Sequence, residues 1–172
     1  MTAYVALLRA VNVGGTTSLP MADLRALCER AGMAGVRTYI ASGNVVFSSS
    51  RSEQAVQGVL EAALEAHVGR PVGIVVRTAE EMAAVLAENP FRHAAPNRTV
   101  AIFLAAPPPE DTISGATSRA DEEIALGRRE IYVHYPAGMG TSKLKIPAAR
   151  TGTARNVNTV ARLAAMAAET GA

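Results

Sequence analysis

The sequence predicts an α+β protein built of two modules, and three observations carry that expectation. Apolar runs of strand length recur along the chain, amphipathic helical stretches alternate with them, and residues 1–78 read strand, helix, strand, strand, helix, strand. Tyr4-Val5-Ala6-Leu7-Leu8-Arg9 is apolar on both alternating faces, so both sides of its sheet require cover. A loop follows through Asn12, Gly14 and Gly15. Pro20 then suits a first helical turn, with Asp23 near the positive end of the helix dipole. Met21, Leu24, Leu27, Cys28 and Ala31 recur at helical spacing, which makes Cys28 an inert core thiol, and Gly32 stops the helix. Val36 to Ile40 is β-prone, Ser42-Gly43-Asn44 turns the chain, and Val45-Val46-Phe47 returns. From Glu53 to Val68, an apolar stripe of Val56, Leu60, Ala63 and Leu64, with His67 beside it, marks a second helix. Gly69 and Pro71 end it, and Ile74-Val75-Val76 is a fourth strand. This order is the split βαβ pattern of ferredoxin-like domains.

The second half repeats the theme less regularly. Ala79–Glu88 reads as a helix with Met82, Val85 and Leu86 inward, closed by Pro90. Thr99 to Ala105 is a strand, after which Pro107-Pro108-Pro109 breaks the pattern and residues 111–121 are weakly helical at best. Ile124-Ala125-Leu126 and Ile131-Tyr132-Val133-His134-Tyr135 flank Gly127-Arg128-Arg129, a hairpin signal. A last helix starts near Thr153, taken as its N-cap, and runs to Thr170 before Gly171. Two ferredoxin-like modules packed together are therefore expected. The first covers 1–78, and the second, 79–172, is an α+β module ending in a long helix, with the boundary between about Arg77 and Pro90.

Composition narrows the function classes. Of 172 residues, 49% are hydrophobic and 19% charged, the balance of a globular chain rather than a disordered one. No apolar run reaches the length of a membrane span, and the N-terminus lacks the pattern of a secretory signal. One cysteine closes no internal disulfide, so a reducing cytoplasmic setting is expected. One cysteine and three scattered histidines give no metal-ligand set, and no cofactor fingerprint occurs. The charge is unevenly spread. Residues 1–127 hold ten Arg/Lys against thirteen Asp/Glu, net −3, whereas residues 128–172 hold seven against two, net +5. A basic C-terminal quarter points to an anionic partner or to a solvated face.

The segments that could carry chemistry lie mostly in that quarter. Gly138-Met139-Gly140-Thr141-Ser142-Lys143 follows a strand and could offer backbone N–H groups and a cation to an anion, although it lacks P-loop spacing. Its bland alternative is a glycine turn beside a solvated lysine. Thr153 as N-cap would leave free N–H groups in a first turn, with Arg155, Asn158 and Arg162 on one helical face. A bidentate donor there would suit a phosphate or carboxylate, and the alternative is an ordinary polar face. Tyr132 and His134 share one strand face, where aromatics can stack bases, but packing is the better reading for Tyr132. Asp121-Glu122-Glu123 reads as a solvated turn. No nucleophile, base and orienting group stand at a recognisable spacing.

Three N-terminal blocks carry a family resemblance. They are Tyr4-Val5-Ala6-Leu7-Leu8-Arg9-Ala10-Val11-Asn12-Val13-Gly14-Gly15, Leu19-Pro20-Met21-Ala22-Asp23-Leu24 and Arg37-Thr38-Tyr39-Ile40-Ala41-Ser42-Gly43-Asn44-Val45-Val46-Phe47. With Arg129-Glu130-Ile131-Tyr132-Val133, Gly140-Thr141-Ser142-Lys143-Leu144 and Thr153-Ala154-Arg155-Asn156-Val157-Asn158-Thr159-Val160, the chain resembles the bacterial domain-of-unknown-function family 1697. The resemblance implies two ferredoxin-like modules and assigns no activity. It carries over Arg9, Asn12, Arg37, Ser42, Asn44, Ser142, Lys143, Arg155, Asn156 and Asn158. The chain departs from the family pattern at Ala10, where glycine is usual, and at Val157, where tryptophan is usual.

The resulting expectation is a cytoplasmic protein that binds an anionic or phosphorylated small molecule between its two modules. Ser142 and Lys143 would grip it on one side, Arg155, Asn156 and Asn158 on another, and Arg9 and Asn12 would close it from the N-terminal module. A nucleic-acid-associated protein using the basic surface, or an enzyme of unidentified reaction, are the alternatives. No cofactor and no membrane partner are expected, and the oligomeric state is open.

Overall fold

The structure is a computed structural model in which residues 1–12 and 17–170 are described. Gly14, Gly15 and Gly171, read from the sequence as loop and helix-stop residues, lie outside the described residues. The chain divides into two compact units, one of Met1–Ala83 together with the segment from Arg162 on, the other of Ala84–Ala161.

The first unit follows the predicted order: β1 (Thr2–Leu8), α1 (Met21–Arg30), β2 (Ala34–Thr38), β3 (Asn44–Ser49), α2 (Glu53–Val68) and β4 (Ile74–Thr78). The strands pair in the order β2-β3-β1-β4, and every pairing is antiparallel. This is the ferredoxin-like order, with each helix crossing between strands that are not neighbours. One sheet face presents Tyr4, Ala6, Leu8, Val45, Phe47, Ile74 and Val76 to Leu24, Leu27, Cys28, Val56, Leu60 and Leu64 of the helices. Each of these fully buried Leu, Val or Phe side chains contributes about 1.5–3 kcal/mol. The opposite face is also covered, since Val5, Leu7 and Val46 are wholly buried. The double-sided apolar pattern of β1 thus reports its setting correctly. Ser52 caps α2 by accepting from the Ala55 N–H at 3.2 Å, and Gly69, at φ +88°, ends it in the left-handed conformation.

β4 runs directly into α3 (Ala79–Ala87). A reciprocal cap forms the junction: Thr78 N–H donates to Glu81 Oε1 at 2.9 Å, and Glu81 N–H donates to Thr78 Oγ1 at 3.1 Å. The second unit then contains β5 (Thr99–Phe103), β6 (Glu123–Leu126), β7 (Glu130–His134) and β8 (Thr153–Asn156). Their order, β6-β7-β5-β8, repeats that of the first sheet strand for strand, again with every pairing antiparallel. The molecule is therefore α+β, with two four-stranded sheets of ferredoxin-like order. The crossovers differ between the sheets. Turns connect β5 to β6, and a 3-10 turn at Pro147–Ala149 precedes β8. The three consecutive prolines and Gly115 deny a helix to the first connection. In the second, Leu144, Ile146, Ala148 and Ala149 supply apolar cover for Val100, Ile102, Ile131 and Val133 that a helix would otherwise give.

The C-terminal helix corrects the sequence reading. Residues Thr153–Asn156 form a strand, and α4 spans Val157–Thr170. Thr153, Ala154, Arg155 and Asn156 pair with Phe103, Ile102, Ala101 and Val100 of β5. A strand ladder satisfies backbone groups that the expected cap would have left to water, so edge pairing overrides a capping residue type. The helix consequently buries Val160, Leu163, Met166 and Ala167.

Candidate functional site

In the first unit, the C-terminal end of β1 and the approach to β4 together form a basic concavity. Arg9 is anchored through its N–H to Gly73 O at 2.8 Å. A Cβ on Gly73 would lie 3.3 Å from Arg9 Cβ, so the bare glycine leaves Arg9 its place. Arg70 follows the left-handed Gly69 and reaches back to Thr17, with Nη2 and Nε at 2.5 and 3.1 Å from Oγ1. Arg9, Thr17 and Arg70 are the polar walls of a concavity of about 350 Å³, and Ala10, Pro71, Val72 and Gly73 complete it. A second concavity of about 370 Å³ shares Thr17 and Arg70 and adds Ser18, His67 and Val68. His67 is exposed rather than set against the buried stripe, and its Nε2 lies 3.5 Å from Asp23 Oδ2.

Asn12 supports this wall from behind. Its Nδ2 donates to Leu19 O at 2.6 Å and Ala41 O at 2.8 Å, its Oδ1 accepts from Leu19 N–H at 2.7 Å, and its own N–H donates to Thr17 O at 2.7 Å. The side-chain amide is thus occupied by backbone, and it fixes the segment that carries Thr17. Ala10, Asn12 and Ile40 adopt φ of 55°, 56° and 49°, a conformation costly for side chains other than glycine or asparagine.

In the second unit, Ser142 and Lys143 line a different concavity, of about 340 Å³, with Ser118, Asp121, Glu122 and Thr141. Glu122 is 4% exposed, so the carboxylate cluster is not merely a solvated turn. Ser142 Oγ donates to Glu122 Oε2 at 2.5 Å and accepts from Leu144 N–H at 3.2 Å, while Ala120 N–H donates to Glu122 Oε1 at 2.6 Å. The Ser142 hydroxyl, and after it the Ala120 N–H, hold the Glu122 carboxyl below its ordinary value, so it is ionised at neutral pH. Asp121, Glu122 and Lys143 bring both signs of charge to this concavity, and Arg119 Nε donates to Glu122 O at 2.8 Å beside it.

Arg155 and Asn156 lie on β8, and Asn158 is exposed in the first turn of α4. Arg155 Nη1 donates to Ala154 O at 2.9 Å, and burial lowers the guanidinium to about 10, which leaves it charged at neutral pH. Asn158 Oδ1 accepts from Thr159 N–H at 3.0 Å. Val157 lines a smaller concavity of about 160 Å³ with Leu86, Phe91 and Pro96. The structure therefore brings Ser142 and Lys143 together, keeps Arg155, Asn156 and Asn158 on one continuous segment, and sets Arg9 beside the wall that Asn12 supports.

Tyr132 is 2% exposed and donates its hydroxyl to Val85 O at 2.8 Å, so its ring is packing and cannot stack on a base. His134 Nδ1 lies 2.9 Å from Glu123 Oε1, and its ring centroid is 5.8 Å from that of Phe91. Cys28 is wholly buried, and burial pushes its thiol up to about 12, which removes the thiolate needed for reactivity. Among the described residues, no three His, Cys, Asp or Glu side chains cluster as a metal site, and no helix is long and apolar enough to cross a membrane.

Arg70 and Thr17 were not among the residues singled out from the sequence. Arg70 lies in Gly69-Arg70-Pro71, which reads only as a helix stop, and it meets Thr17 across 53 positions of chain.

Residues 1–132 match the family model described as "Protein of unknown function (DUF1697)". A solved structure of a conserved bacterial protein from Streptococcus pneumoniae is similar over 96% of this chain and 98% of its own, with 26% identity and a TM-score of 0.81. No curated protein matches the sequence.

Proposed function

We propose that this chain, which belongs to the DUF1697 family of proteins of unknown function, binds a compact anionic small molecule at the Arg9–Arg70 concavity. One observation carries the reading: Arg9, Arg70 and Thr17 line one concavity whose other walls are Ala10, Pro71, Val72 and Gly73. Planar, permanently charged forks are suited to carboxylate and phosphate oxygens, and the apolar surface excludes competing water. The anionic-ligand expectation from the sequence is kept, and Arg9 is the residue of that expectation on which this site rests.

The test is thermal shift of the purified chain against phosphorylated metabolites, nucleotides and short RNA and DNA at two salt concentrations. A ligand that binds only the folded state at a hundredfold excess over Kd stabilises by about 2.7 kcal/mol. Arg9→Gln and Arg70→Gln are each expected to reduce the shift, most of all for phosphorylated ligands. The grip by Ser142, Lys143, Arg155, Asn156 and Asn158 is tested alongside by the Lys143→Ala/Arg155→Ala pair. Loss of binding in that pair, with Arg9→Gln unaffected, would move the site. A shift confined to polymers at low salt would favour the nucleic-acid reading, which the buried Tyr132 weakens.

A further inference from the structure

We propose that the group this site takes is a phosphomonoester dianion rather than a carboxylate or sulfonate; the inference rests on the anion-binding reading above. Arg70 directs two N–H groups, from Nε and Nη2, at the single oxygen of Thr17 at 3.1 and 2.5 Å. A threonine oxygen has two acceptor positions and one proton. With both acceptor positions taken by one guanidinium, the hydroxyl must donate its own proton elsewhere, and it lies in the wall of the concavity that Arg9 also lines. The site therefore offers an oxyanion an O–H donor polarised by a cation, together with two positive charges. Thr17 acts here as a positioning residue for Arg70 and as a donor in its own right.

The number of charges selects the ligand. A carboxylate or sulfonate brings one negative charge to two guanidiniums. A phosphomonoester brings nearly two at neutral pH and offers three oxygens, and it loses one charge below its second pKa of about 6. The titratable and charged groups facing the site are Arg9 at the end of β1, Arg70 between α2 and β4, and His67 on α2 beyond Thr17, paired with Asp23 of α1.

The experiment is calorimetric titration of the full chain with phenyl phosphate, benzenesulfonate and benzoate, which share one ring and differ in the anion. At about pH 7.5, phenyl phosphate is expected to bind about tenfold more tightly than benzenesulfonate, and at about pH 5 the ratio falls to about twofold. His67→Gln is expected to reproduce the same collapse, because the ligand's own second ionisation carries it. Arg9→Gln should bring the ratio at about pH 7.5 toward one while benzenesulfonate still binds. Thr17→Val should weaken phenyl phosphate, and Thr17→Ser should restore it. Equal binding of the three ligands at both pH values would overturn the dianion inference and leave the anion site standing. Absence of binding by all three at millimolar concentration would overturn both.

Discussion

Ala10 carries a φ of 55°, a region in which a Cβ approaches the following carbonyl. This makes Ala10 a source of strain that a glycine would relieve. Ala10→Gly is expected to raise stability by about 1 kcal/mol, seen as a higher denaturant midpoint at unchanged slope. A lower midpoint would mean that the unfolded-chain entropy of glycine outweighs the relief. Gly43 shows the converse constraint, because a Cβ there would lie 2.7 Å from Val11 Cγ2 and 2.8 Å from Leu8 Cβ. Glu122 gives a pH prediction. Its folded pKa lies below the ordinary 4.5, so the stabilisation it carries is complete above that value and is lost as pH falls through the lower folded one. Ser142→Ala removes the largest cause of the lowering. The Tm difference between wild type and variant should therefore be widest above about pH 4.5 and narrow below it. A difference independent of pH would mean that the Ser142–Glu122 bond does not hold the carboxylate in its charged form.

At the scale of elements, the first unit was legible because its local signals agree. Ser52, the stripe through Val56, Leu60 and Leu64, and Gly69 all specify the same helix, Glu53–Val68, and it forms with those bounds. Ser52→Ala should cost about 1 kcal/mol in chemical denaturation, and Ser52→Asp should retain most of the wild-type stability. An unchanged midpoint in the alanine variant would show that water replaces the cap at no cost. The Thr78–Glu81 reciprocal cap was equally present as Thr-x-x-Glu, and it joins strand directly to helix. The segment from Thr153 was misread because its residue types also suit a helix start. Only the position of β5 alongside determines that Thr153, Ala154, Arg155 and Asn156 extend as a strand. That one change removes Arg155 from the helical face on which it was placed with Asn158 and Arg162.

At the scale of the molecule, the first unit is discontinuous in sequence, since the segment from Arg162 on belongs with residues from the N-terminal half. Arg37 Nη1 donates to Glu169 Oε2 at 2.9 Å across 132 positions of chain, and Met166 in the same helix is 2% exposed. Met166→Ala should cost about 2–4 kcal/mol, the range for emptying a buried Met or Leu site. Arg37→Ala should cost far less, because both partners of that pair are solvent-exposed. Equal effects would mean that the ion pair holds this segment as strongly as apolar burial does.

The sequence by itself determined the α+β class, the order of elements in the first unit, the double-sided cover of β1, the β6–β7 hairpin and the inert setting of Cys28. Each of these follows from local periodicity or turn chemistry, which a chain carries wherever it lies. The tertiary structure decided the matching strand order of the second sheet, the start of α4 at Val157, and the pairing of the Ser142 hydroxyl with a buried Glu122. It also decided the meeting of Arg70 with Thr17 beside Arg9. These depend on contacts between residues far apart in the chain, and no local pattern encodes the sign of the charge that a distant segment brings to a loop.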